Sequence, residues 1–153
     1  MNIYEYQRPL GRIDDIPELR DKLITVYDSK NHQDMVRFCL ALGQHVLDIA
    51  GFEPYKEITA AFEAMQKWLD GKVNYHEARN LCFEIHRYAS AEKDPVRARF
   101  LRTMAQIAAS PHVKYHALWA TDFAVTLINR IYPCNMEEVK KERELQIRLM
   151  QSV

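Results

Sequence analysis

The chain has 153 residues, enough for one hydrophobic core that buries about two thirds of the unfolded surface without covalent staples. Lys+Arg and Asp+Glu both number 21, so the formal charge is zero, which excludes nucleic-acid binding by bulk attraction to phosphate. No window approaches the ~18 unbroken apolar residues of a membrane span, and "MNIYEYQRPLGRIDD" has no apolar leader core, so a cytoplasmic protein without membrane contact is expected.

Cys39, Cys82 and Cys134 are odd in number, far apart and without a CxxC pair, a pattern of reduced thiols rather than a disulfide framework. Charge is unevenly spread. Residues 1–77 carry nine basic and thirteen acidic side chains, and residues 78–153 carry twelve and eight.

In chain order, Asp15 and Pro17 predict a helix start and a short helix to about 28. Asn31 with Asp34 opens a second over 32–50, rich in Val36, Phe38, Leu40, Val46 and Leu47. Tyr55, Ile58, Phe62, Met65 and Leu69 recur at steps of three and four, one apolar stripe that ends at Asp70-Gly71, where glycine supplies a left-handed stop. Asn74 and Glu77 suggest a capping-box variant before a helix over 75–92, with Ala78, Leu81, Cys82, Ile85 and Ala89 on one face.

Asp94-Pro95 starts the next helix, carrying Leu101, Met104, Ala105 and Ala108, and Ser110-Pro111 predicts a long helix over 111–132. After Pro133 a charged helix over 136–151 has Met136, Val139, Leu145, Leu149 and Met150 as its thin apolar side. No segment alternates with the two-residue period of a strand. The expectation is an all-α, single-domain bundle over 1–153 of about seven helices joined by short turns.

On the predicted 111–132 helix, Val113, Ala117, Ala120, Ala124, Leu127, Ile128 and Ile131 form a core stripe, and His112, His116, Trp119 and Phe123 a second one about 100° round. Two histidines four apart can share a metal with a third ligand, His86 or Cys82, or they can simply fill an interior with satisfied hydrogen bonds. The zinc-protease pattern fails because position 113 is valine, and the structural reading is preferred.

Arg79, His86 and Lys93 are seven apart and trace a line along one helix border; with Arg97, Arg99 and Arg102 they make the most basic part of the chain, a solvated face or a surface for an acidic partner. No nucleophile elbow, phosphate loop or other cofactor motif occurs, and no acidic residue lies on an apolar stripe.

Four segments, "LGQHVLDIAGFE", "AMQKWLDGKVNYHEARNLCFEIHRYASAEKD", "ASPHVKYHALWATDFAV" and "ERELQIRLM", resemble in order and spacing the Immunity protein 5-like family of bacterial polymorphic-toxin loci. The resemblance covers about 42–150 and leaves 1–40 outside. Trp68 and Gly71 match its W-x-x-G helix end, Glu77-Ala78-Arg79 the start of the next helix, His86 an internal histidine, and His112 and His116 its paired histidines. Leu118, Trp119 and Phe123 are larger than usual in that pattern, and Leu145 stands where tryptophan is common.

The resemblance implies a non-catalytic protein that binds and neutralises a cognate protein toxin in the producing cell. Arg79, His86, Lys93, Arg97 and Arg102 are the candidate contacts. The readings from other classes are a metal-binding protein or metal-dependent enzyme built on His86, His112 and His116, and a homo-oligomeric scaffold.

Overall fold

The computed structural model describes residues 3–153, and within them the chain forms a short 3-10 turn, Ile3–Tyr6, followed by seven α-helices with no strand. These are α1 (Pro17–Asp28), α2 (His32–Ala50), α3 (Lys56–Leu69), α4 (His76–Ala91), α5 (Pro95–Ala108), α6 (Tyr115–Ile131) and α7 (Met136–Gln151). The expected all-α architecture is what forms, and no helix is long and apolar enough to cross a membrane.

Local chemistry sets most of the ends. Asn31 and Asp34 close a reciprocal capping box at α2, whose far end is Gly51 in the left-handed conformation. At the end of α3, Gly71 (φ 74°) allows the Lys72 amide to reach the Lys67 carbonyl and the Gly71 amide to reach that of Trp68, the paired wide and tight bonds of a Schellman motif. Asp94 accepts from the Val96 amide at α5, and Asn135 from the Glu138 amide at α7.

Three expected starts differ. Asp15 does not cap α1, which begins after Ile16; its carboxylate accepts the Ile16 amide and is otherwise held by arginines. Asn74 accepts from the His76 amide, one position before the N-cap Tyr75, and no capping box with Glu77 forms. Ser110-Pro111 does not open α6: residues 109–112 make a turn, and α6 begins only at Tyr115. Ser110 is fully buried there, its hydroxyl beside the Cys39 thiol and its carbonyl accepting from His32 Nε2 at 2.7 Å, so it is spent on packing rather than on a cap.

Helices α4, α5 and α6 lie side by side in sequence order, α3 flanks α4, α7 packs on α6 and α1, and α2 crosses beneath α3, α5, α6 and α7. Every residue of α6 from Ala117 to Ile128 is buried, because this helix has neighbours on more than one side. Gly43 allows the close crossing of α2 and α3, since a Cβ there would stand 2.7 Å from the Phe62 ring.

Helix α7 departs most from expectation. Met136 is exposed, and the buried side of the helix runs through Val139, Glu142, Arg143, Gln146, Ile147 and Met150. Arg143 is fully buried and uses all five of its N–H donors. Nε and Nη2 bind the two Asp15 oxygens at 3.0 and 2.7 Å, Nη2 binds Asp122 at 2.7 Å, and Nη1 binds Thr121 Oγ1 and Gln146 Oε1 at 3.2 and 3.0 Å.

The fully buried Asp122 also accepts two bonds from Arg20, and Asp15 one from Arg8. Gln146 donates to Glu142, which accepts from His45 Nε2 at 2.6 Å. Acidic residues therefore do stand on buried faces, contrary to the sequence expectation, and each faces an arginine or another hydrogen-bond donor. Burial alone would raise the Asp15 carboxyl, but bonds and charge from Arg143, the Ile16 amide and Arg8 hold it below its ordinary 3.8.

Further bonds fasten residues 3–15 to the bundle. Arg20 Nη2 donates to the Tyr6 carbonyl, Trp119 Nε1 to the Glu5 carbonyl, and Asn129 makes two bonds with the Asp14 backbone.

Arg143→Met would leave two buried carboxylates short of their shared cation, at a cost of about 3–5 kcal/mol. Urea unfolding should show this as a lowered midpoint, and a loss under about 1 kcal/mol would contradict it. Because the folded Asp15 carboxyl is depressed, its contribution is complete above about pH 3.8 and disappears as pH falls further, so acid unfolding of the wild type should steepen below that value.

Candidate functional site

Helix α4 buries Ala78, Cys82, Ile85 and Ala89, rests Leu81 against the core, and carries its exposed residues on the other side. Phe83 is 47% exposed, Tyr88 is 41% exposed, and the Arg79 guanidinium lies 5.3 Å from the centre of the Phe83 ring. Arg102 reaches across from α5, donating to His86 Nδ1 at 2.7 Å and to Ser90 Oγ at 2.9 Å. His86 is thereby fixed as the tautomer with its proton on Nε2, and burial together with the Arg102 charge lowers its pKa.

The basic line read from the sequence is thus brought together only in part. Arg79, His86 and Arg102 share the α4–α5 surface. Lys93 is exposed in the turn after α4, and Arg97 turns away to stack 4.2 Å over the Phe52 ring, beside the Tyr55 hydroxyl.

Between α4, α5 and the turn before α6 lies a cavity of about 210 Å³, lined by Arg79, Cys82, Phe83, His86, Gln106, Ala109, His112 and His116. The three histidines singled out in the sequence therefore line one space. His112 reaches it from the turn and His116 from the first turn of α6, so they do not form an i, i+4 pair on one helix; their ring centres are 6.1 Å apart.

His116 Nδ1 donates to Gln106 Oε1 at 2.9 Å, and the His112 ring leans on Tyr75 at 4.6 Å. Among the described residues no three His, Cys, Asp or Glu side chains converge to hold a metal ion. Burial keeps the Cys82 thiol protonated, its pKa pushed up to about 11.

Around the cavity aromatic rings close the end of the bundle. His116 stands edge-on to Trp119, Tyr4 packs on both Tyr115 and Trp119, and Trp68 stacks on His32 at the start of α2. Trp68 is half-buried at the edge of the main core, its ring against His32 at the start of α2.

Phe83, Gln106 and Ala109 escaped the sequence reading, though the first two left a signal. Gln106 is the lone amide in the apolar run Met104–Ala108, and Phe83 lies off the apolar stripe of its helix.

Residues 25–153 match the family described as "Imm-5 like putative immunity protein", and the chain belongs to that family. The match begins at residue 25, so it takes in all of α2 and only the last turn of α1, well ahead of the limit near 42 drawn from motifs alone. No curated protein and no solved structure matches the chain.

Burial, and then the nearby charges of His112 and His86, lower the His116 pKa from 6.5 to about 4. The unfolded chain takes up this proton near pH 6.5 and the folded one does not. The stability linked to His116 is therefore complete above about 6.5 and lost as pH falls toward 4. His116→Gln removes the titration, so wild-type stability should fall more steeply than that of the variant across this window, by at most about 1.4 kcal/mol per pH unit. Parallel stability curves from urea unfolding at several pH values would contradict the assignment.

Proposed function

We propose that the chain binds and neutralises a cognate bacterial toxin by protein–protein contact, with no chemistry of its own. The observation that carries this reading is membership of the immunity family over residues 25–153. A compact helical domain whose apolar stripes are consumed by packing has only its outward residues to offer a partner.

The outward side of α4 is the best candidate for the contact surface. It combines Arg79, Phe83 and His86 with Arg102 from α5 and Lys93 from the following turn, whereas Tyr88 stands on the other flank, held by Glu57 and Tyr55. Arginine and half-exposed aromatic rings are the residue types that concentrate binding energy at interfaces. Arg79, Lys93 and Arg102 are basic, while Glu77 stands exposed on the same helix and Glu84 is paired with Arg87, so the basic line calls for acidic groups on the toxin opposite it, and complementarity of this kind acts first on association rate. Arg97, spent on Phe52 and Tyr55, lies at the margin of this face.

Co-expression with the toxin domain encoded beside the gene tests the proposal. Wild type should restore growth, whereas Arg79→Glu with Lys93→Glu should protect poorly, with Tm unchanged within about 2 °C. No rescue by wild type would overturn the immunity reading for that toxin. Equal rescue by the reversed pair would move the contact surface away from α4.

A further inference from the structure

The cavity at the foot of α4 has a definite polarity. Arg79 is its one full cation, and no carboxylate lines it. His86, with Nδ1 occupied by Arg102, keeps an N–H at Nε2; Gln106, with Oε1 occupied by His116, keeps both amide hydrogens. The rim residues Arg79 and His112 are partly exposed and Phe83 is exposed, so the space is open to a partner. Cys82, Phe83 and Ala109 make its walls apolar. Donors at one end and apolar walls around them suit a short hydrocarbon stem that ends in an anion.

We infer that this cavity receives one glutamate or aspartate side chain of the toxin, its carboxylate held by Arg79 and by the N–H groups of His86, Gln106 and His112. The inference rests on the toxin-binding reading and names the anchor within that surface.

The groups acting on these histidines agree with it. His112 is disfavoured as a cation by burial and by Arg79, His76 and His32; His116 by burial, His112 and His86; His86 by burial and Arg102. These groups come from α2, α4, α5 and the turn before α6, and all are cations or imidazoles. With the histidines neutral near pH 7, the cavity carries about one positive charge, which suits a single carboxylate better than a doubly charged phosphate. An entering carboxylate would raise all three histidine pKa values, so its binding takes up protons and strengthens as pH falls from 7 toward 5.

Glutarate, a free dicarboxylate with a glutamate-like stem, serves as the probe. Ring N–H spectra of histidine-labelled protein should show a saturable shift at His86, His112 and His116, and the His112 titration midpoint should rise by about one unit. Arg79→Gln should weaken the effect at least tenfold; His112→Gln, on the exposed rim, should weaken it severalfold and guards against a folding defect at Arg79. Shifts that do not saturate, that sodium chloride reproduces at equal ionic strength, or that survive in both variants would overturn the inference. Tighter binding of inorganic phosphate than of glutarate would overturn the choice of a carboxylate. This arm needs no toxin: saturable glutarate binding beside failed growth rescue would refute the toxin reading alone, and rescue without glutarate binding would refute the cavity alone.

Discussion

Arg143 sits at the point where four parts of the chain meet. A buried guanidinium is tolerable only when every donor is used and its charge is answered, and here Asp15 and Asp122 supply two carboxylates while Thr121 and Gln146 take the remaining donors. Arg8 and Arg20 bring further positive charge to Asp15 and Asp122 respectively. This arrangement can be assembled in one way only: α7 must lie on α6 in the register that sets Arg143 beside Asp122, α1 must bring Arg20 to the same carboxylate, and the segment before α1 must deliver Asp15. An apolar seam between α6 and α7 would tolerate sliding; this one does not.

The placement of the cavity follows from that fixed α6. Its first turn carries His116 and Trp119, and the turn before it carries His112. Helix α5, packed between α4 and α6, holds Gln106 against His116 and Arg102 against His86. Arg79, His86 and Gln106 therefore face the cavity from helices, and His112 alone from a turn, an arrangement that lowers the ordering cost of the proposed contact. The N-terminal turn closes the other flank, where Tyr4 packs on Trp119 and the Glu5 carbonyl takes the indole proton.

Most of the helices could be read from the sequence because the signals are local. The Asn31–Asp34 box, Gly71, Asp94-Pro95 and the apolar period of α3 and α4 all formed as their chemistry dictates. Ser110-Pro111 misled because a serine hydroxyl beside a proline is a cap only if the fold leaves it at the surface, and here the turn is buried against α2. The polar face of α7 misled for a related reason: Glu142, Arg143 and Gln146 read as solvated until Asp122, Thr121 and Asp15 are known to face them, and those partners lie 21 residues away or more. The three histidines were picked out as a group, and they do line one space, but Gln106 and the tautomer of His86 depend on contacts that no spacing rule contains.

The central claim is that a rigid, internally charge-matched bundle presents the outer face of α4 and the cavity at its foot to a protein toxin. Hydrogen–deuterium exchange of the protein alone and in complex with the neighbouring toxin domain tests this most directly. The account predicts new protection over residues 79–93 and 106–116, with amides at the α6–α7 seam equally slow in both states. Protection confined to α1 and α7, or none at saturating toxin, would contradict it.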